Sequence, residues 1–176
     1  MRIWWALRKK KLKTKKEFAD ADEVYDRALD LLSLREHGGD DMYEKLLLKG
    51  ATQEQAQEVV TRLKRAGLID ELRYGRSVYR VWLSKGCFGR AHLVGTLTKK
   101  LVDKSVWDEI LTEFTDVIEE QHAQTAAQMF YQKYSRKKFE NRRKLWATAA
   151  GFMVNRGFGS KYMELVLSNF TSLSDD

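Results

Sequence analysis

The chain has 176 residues, 43% of them hydrophobic, with 32 basic against 25 acidic side chains and a net charge of +7. That length suits one ordinary domain or a short array of smaller units with buried cores. No apolar run approaches the roughly 18 residues a membrane-spanning helix needs, and the single cysteine, Cys87, excludes an internal disulfide. Proline is absent. Since proline breaks helix interiors, its absence favours long helices. The positive balance favours a polyanionic partner or an acidic protein surface, and one reduced cysteine fits the cytoplasm.

Residues 1–17 are a separate compositional zone. They carry Arg2, Arg8, Lys9, Lys10, Lys11, Lys13, Lys15 and Lys16 against Glu17 alone, and read as a basic N-terminal arm. The apolar stretch Ile3–Leu7 is too short for a signal peptide and precedes its basic block, so no export signal is expected. From Asp20 the pattern turns helical, with Val24, Ala28, Leu31, Leu32 and Leu34 on one face. Gly38-Gly39 interrupts it, and a short helix over 40–49 ends at Gly50. Thr52-Gln53-Glu54-Gln55 fits a capping box and opens a third helix, which Gly67 stops. Helical spacing then predicts segments over 70–84, 90–100, 104–119, 121–134, 138–155 and 160–169, with no strand.

The same unit recurs. Leu46-x-x-Lys49-Gly50-Ala51-Thr52 precedes Ala56, Val59, Val60 and Leu63. A shift of 51 residues gives Leu97-x-x-Lys100-Leu101-Val102-Asp103, then Trp107, Ile110, Leu111 and Phe114. A further 56 gives Met153-x-x-Arg156-Gly157-Phe158-Gly159, then Met163, Val166, Leu167 and Phe170. Each copy joins a helix stop, a permitted cap residue and one apolar face. Units of this size cannot bury their faces alone and stack on neighbours. The division is helical repeat 1 over 18–69, repeat 2 over 70–120 and repeat 3 over 121–176.

No local constellation supports catalysis. Gly86-Cys87-Phe88-Gly89 reads as a helix-connecting turn rather than a phosphate cradle. His37, His92 and His122 lack partners at metal-ligand spacing and are assigned surface or half-buried roles, and Cys87 has no adjacent histidine. Glu119 and Glu120 are neighbours on different helix faces and make no acid–base pair. The reading is a non-enzyme without cofactor or metal.

Repeat 3 does carry a basic run: Lys133, Arg136, Lys137, Lys138, Arg142, Arg143 and Lys144, interleaved with Tyr131, Tyr134 and Phe139. Cations gain affinity for phosphate by counterion release, and aromatics stack on exposed bases. The competing reading is a solvated face over core aromatics. Arg156 and Lys49, each at a repeat's turn, are further candidate contacts; helix capping competes at Arg156. Asp103 to Glu120 is acidic and is not expected to lead phosphate binding.

These residues also resemble the RecX family, regulators of the recombinase RecA. The resemblance rests on Ala28-Leu29-x-x-Leu32-x-x-Arg35-Glu36-His37, Leu46-Leu47-Leu48-Lys49-Gly50 and Gly67-Leu68-Ile69-Asp70 in the first repeat. Arg73-Tyr74-Gly75 and Lys85-Gly86-Cys87-Phe88-Gly89 carry it in the second, and Phe152-Met153-x-x-Arg156-Gly157-Phe158 in the third. It covers about residues 22–170. Gly38 replaces a serine, Asp41-Met42 an acidic-leucine pair, and Leu101 a glycine. The resemblance implies an all-α fold of three tandem three-helix repeats in an elongated, curved array. It implies binding to the RecA nucleoprotein filament, with contacts to single- and double-stranded DNA and none to membrane. It further implies inhibition of the recombinase, ATPase and coprotease activities, with consequences for DNA repair and the SOS response. The alternative is a stand-alone nucleic-acid-binding helical repeat protein.

Overall fold

The computed structural model describes residues 18–168 and 170. The basic arm over 1–17 lies outside the described residues. Among those described there are nine α-helices, two single 3-10 turns and no strand: α1 (Ala21–Leu34), α2 (Gly39–Lys49), α3 (Gln53–Arg65), α4 (Glu71–Leu83), α5 (Arg90–Lys99), α6 (Trp107–Glu113), α7 (Asp116–Tyr134), α8 (Arg142–Val154) and α9 (Met163–Leu167). None of these helices is long and apolar enough to cross a membrane. The chain forms two compact units, one ending at Asp70 and the other beginning at Glu71.

In the first unit α1 and α2 pack on α3, burying Val24, Ala28, Met42, Leu46, Ala56, Val59 and Leu63. Asp20 caps α1 by accepting from the Glu23 amide, and Thr52 and Gln55 form the expected capping box on α3. The second unit holds two cores. One gathers Tyr74, Trp82, Leu93, Leu97, Ile110 and Phe114 from α4–α6. The other gathers Ala126, Phe130, Leu145, Ala149, Met153 and Val166 from α7–α9. Every apolar position of the sequence repeat is buried in, or packed against, one of these three cores.

The turn that closes each second helix is the same in all three copies. Ala51, Val102 and Phe158 donate their amides to Leu46, Leu97 and Met153, each at 3.1 Å. The residue before each donates to the carbonyl three positions back, at 3.1, 3.1 and 2.9 Å. This double bond pair requires a left-handed residue. Gly50 (φ 113°) and Gly157 (φ 80°) supply it, and so does Leu101 (φ 54°), the only non-glycine residue with positive φ among those described. Losing the glycine in the middle copy therefore does not change the turn.

Several helix boundaries differ from the sequence expectation: the segments expected from 104 and from 160 each begin as a 3-10 turn, with α6 and α9 starting at Trp107 and Met163. The break expected near residue 120 falls at Phe114 and Thr115, because the Thr115 hydroxyl accepts from the Ile118 amide and starts α7 at Asp116. The helix expected from 138 starts at Arg142, because the Asn141 carboxamide accepts from the Lys144 amide and caps it there. Lys138–Glu140 thus belong to the α7–α8 connection.

Candidate nucleic-acid interface

Within the second unit, α7 carries a joint between its two cores. Glu119 is only 5% exposed. One carboxylate oxygen accepts from the Arg90 amide at 2.8 Å, and the other from the Tyr162 hydroxyl at 3.3 Å, with the Lys161 ammonium 3.7 Å away. It thereby places a negative charge at the N-terminus of α5, whose own cap, Gly89, has no side chain to offer. The Arg90 guanidinium donates to the Leu111 and Phe114 carbonyls at 3.0 and 2.6 Å, closing the end of α6. His122, one turn along α7, donates from Nδ1 to the Phe88 carbonyl at 2.9 Å and packs against Trp82 and Phe114.

Backbone completes the joint. The Gly89 and Ala91 amides donate to the Arg156 and Gly157 carbonyls at 2.8 and 3.3 Å. A Cβ on Gly89 would stand 2.5 Å from the Gly157 oxygen, and one on Gly157 would collide with the His92 backbone. The Lys85–Gly89 stretch is therefore a packed helix connection. The surface or half-buried role expected for the histidines is corrected for two of them: His37 and His122 are buried. His37 pairs with Asp41 at 2.7 Å, whereas His92 is half-buried. Both buried rings gain a hydrogen-bond acceptor, which is what permits a polar ring inside.

The basic run lies on the outer end of the α7–α8 pair. Lys133 sits in the last turn of α7, Arg136, Lys137 and Lys138 in the connection, and Arg142, Arg143 and Lys144 in the first turn of α8; all seven are exposed. The aromatics beneath them are partly core: Tyr134 and Phe139 pack on the Phe130 cluster. The Lys137 ammonium stands 5.7 Å from the Tyr134 ring and 5.1 Å from Phe139. Lys144 pairs with Glu140 at 2.6 Å, a contact of small worth at that exposure. The first turn of α8 contains no acid. Three cations there oppose the helix macrodipole, an unfavourable placement of about 0.3–1 kcal/mol each.

An open groove of about 670 Å³ runs between α7 and α8, and both Lys133 and Arg156 line it. Gln132, Tyr134, Phe152 and Asn155 share its walls, and among the described residues no acid lines it. The Arg156 guanidinium lies 3.6 Å from the Phe152 ring centroid, and its buried Nε has no hydrogen-bond partner. Lys49, exposed in the last turn of α2, belongs to the first unit. No group of three or more metal-ligating side chains occurs among the described residues.

Sequence reasoning missed Glu119, Gln132 and Asn155. Glu119 was legible in principle: it sits three, four and seven residues before His122, Ala123 and Ala126, on the buried face of α7. The misplaced helix start hid that register. Gln132 and Asn155 carry no spacing signal, because the groove they share joins separate helices.

Known proteins resemble this chain in sequence and in fold. A family model described as the first three-helix domain of RecX matches residues 25–63. The regulatory protein RecX of Pelodictyon phaeoclathratiforme is 37% identical over 90 residues, 51% of this chain and 56% of that protein. The regulatory protein RecX of Pseudomonas entomophila is 29% identical over 141 residues, 80% of this chain and 87% of that one. The match also spans 56% of the RecX of Limosilactobacillus reuteri, so this chain covers little more than half of some relatives. The crystal structure of RecX from Lactobacillus salivarius superposes with a TM-score of 0.69 at 20% identity, covering 86% of this chain and 97% of that one. A second regulatory protein RecX crystal structure gives 0.73 at 26% identity, covering 84% and 73%. Repeated turns, three cores and likeness in both sequence and fold converge on one conclusion: the chain is similar to regulatory proteins named RecX, through its first three-helix domain in sequence and through most of its length in fold.

Proposed function

We propose that this chain is a non-enzymatic, cytoplasmic regulator that binds the RecA–DNA filament. It inhibits the recombinase, ATPase and coprotease activities of RecA and so modulates DNA repair and the SOS response. Similarity to proteins named regulatory protein RecX supports the regulatory role, and the carrying observation is the basic run over 133–144. Three of its cations stand at a helix N-terminus, a placement that the helix macrodipole disfavours. A residue choice that opposes local stability marks a functional surface. On this reading Lys133, Arg136, Lys137, Lys138, Arg142, Arg143, Lys144 and Arg156 meet the filament's phosphates, and Lys49 of the first unit adds a contact. The three tandem repeats are the units that present these residues.

The test is co-sedimentation of the full chain with RecA filaments. Reversing Lys137, Lys138, Arg142 and Arg143 to Glu is expected to weaken binding at least about tenfold, as loss of several phosphate contacts does. Unchanged binding would assign the run to solvation only. The rival reading, a stand-alone nucleic-acid binder, is favoured by the same cations. Affinity for bare DNA equal to that for filaments would select it.

A further inference from the structure

We propose that the α7–α8 groove seats one unstacked nucleotide of a single strand, with Lys133 and Arg156 at its phosphate and the Gln132 and Asn155 carboxamides at its base edge. This deepens the proposed function by naming a ligand for one part of the surface. The groove's volume, about 670 Å³, lies within the range of small-ligand sites. Its walls combine what a nucleotide presents: two cations for phosphate, two carboxamides and aromatic rings. Carboxamides offer donor and acceptor together, as base edges do. An acidic peptide would engage the same cations but has no planar ring to lay against the aromatic wall. Arg156 is pre-set for the role. Its guanidinium carbon lies 3.6 Å from the Phe152 ring centroid and a terminal nitrogen donates to the Phe152 carbonyl at 3.5 Å, so the charge is held at the groove wall.

The test compares the full chain with the Gln132→Ala/Asn155→Ala double variant, using a labelled 12-nucleotide oligothymidylate and a 12-base-pair duplex. The variant removes no charge. Single-strand affinity is expected to fall about tenfold, a value typical of one base held by a protein, with the salt dependence unchanged and duplex affinity intact. Lys133→Gln is expected instead to reduce the salt slope by about 0.7. Wild-type single-strand affinity in the double variant, or an equal fall on duplex, overturns the proposal. Displacement of the oligonucleotide by a decaglutamate peptide, lost in the double variant, also overturns it and assigns the groove to an acidic protein segment. Thermal melting of both variants confirms that they fold. Filament co-sedimentation separates the two readings. Filament binding alongside an insensitive oligonucleotide titration sinks only the groove. Absent filament binding by the wild type sinks the proposed function, and the oligonucleotide result still decides the groove.

Discussion

Leu101 holds φ 54° between Lys100 and Val102, where the other two copies place glycine. A side chain in the left-handed region costs about 1–2 kcal/mol. Leu101 is partly exposed, so little packing offsets that strain. Leu101→Gly is therefore expected to stabilise the second unit by up to about 1 kcal/mol, read as a higher urea midpoint. A lower midpoint would show that the leucine contributes more by contact than its backbone loses.

His92 gives a pH dependence of definite sign. Burial, then the nearby Lys85 ammonium, lowers its pKa below the ordinary imidazole value. Its Nδ1 accepts from the Trp82 indole at 2.8 Å, which only the unprotonated nitrogen can do. The unfolded chain thus takes up a proton that the folded ring resists. The contribution is complete above about pH 6.5 and declines as pH falls from there toward the lower folded value. Urea midpoints at pH 7.5 and 5.5 are expected to fall for the native chain and to differ less in His92→Gln. Asp41 acts lower on the scale. Burial raises its pKa, but the hydrogen bond from His37 and the Arg35 and Lys45 charges outweigh it and hold the carboxyl below its usual range. That contribution is present above about pH 4 and disappears on further acidification.

At the scale of elements, the joint on α7 governs the second unit. Glu119 satisfies the N-terminus of α5 and the Tyr162 hydroxyl from one buried position. Glu119→Ala is expected to destabilise by about 2 kcal/mol, the worth of charge-assisted hydrogen bonds lost from a buried site. Gly89→Ala should lose about 1–3 kcal/mol, since the added methyl meets the Gly157 backbone rather than a movable side chain. Thermal or urea unfolding measures both, and a wild-type Gly89→Ala would contradict the close approach of these backbones.

The helices were legible in the sequence because caps and faces coincide: Thr52 with Gln55, Asp103 and Gly159 all occupy the expected cap positions. The misplaced starts of α7 and α8 share one cause. Thr115 and Asn141 are caps embedded in continuous helical periodicity, and periodicity alone does not reveal which polar residue turns inward to bond an amide. The basic run was legible as composition. The groove was not, because Gln132 and Asn155 come to line one groove only through the packing of α7 on α8.

At the scale of the whole molecule, three copies of one unit have diverged in charge while keeping one turn. Repeat 2 turns into an acidic helix, and Arg76 ties α4 to Glu109 and Glu113 at 2.7 and 2.8 Å. Repeat 3 gathers seven cations within residues 133–144 against Glu140 alone. On the proposed function that asymmetry is a binding direction, with phosphate expected at repeat 3 rather than at repeat 2. The most direct test is the DNA-dependent ATP hydrolysis of RecA with substoichiometric amounts of the full chain at low salt. The account predicts inhibition by the native chain and its loss on reversal of Lys137, Lys138, Arg142 and Arg143 to Glu. Undiminished hydrolysis, with no binding to filaments, would contradict it.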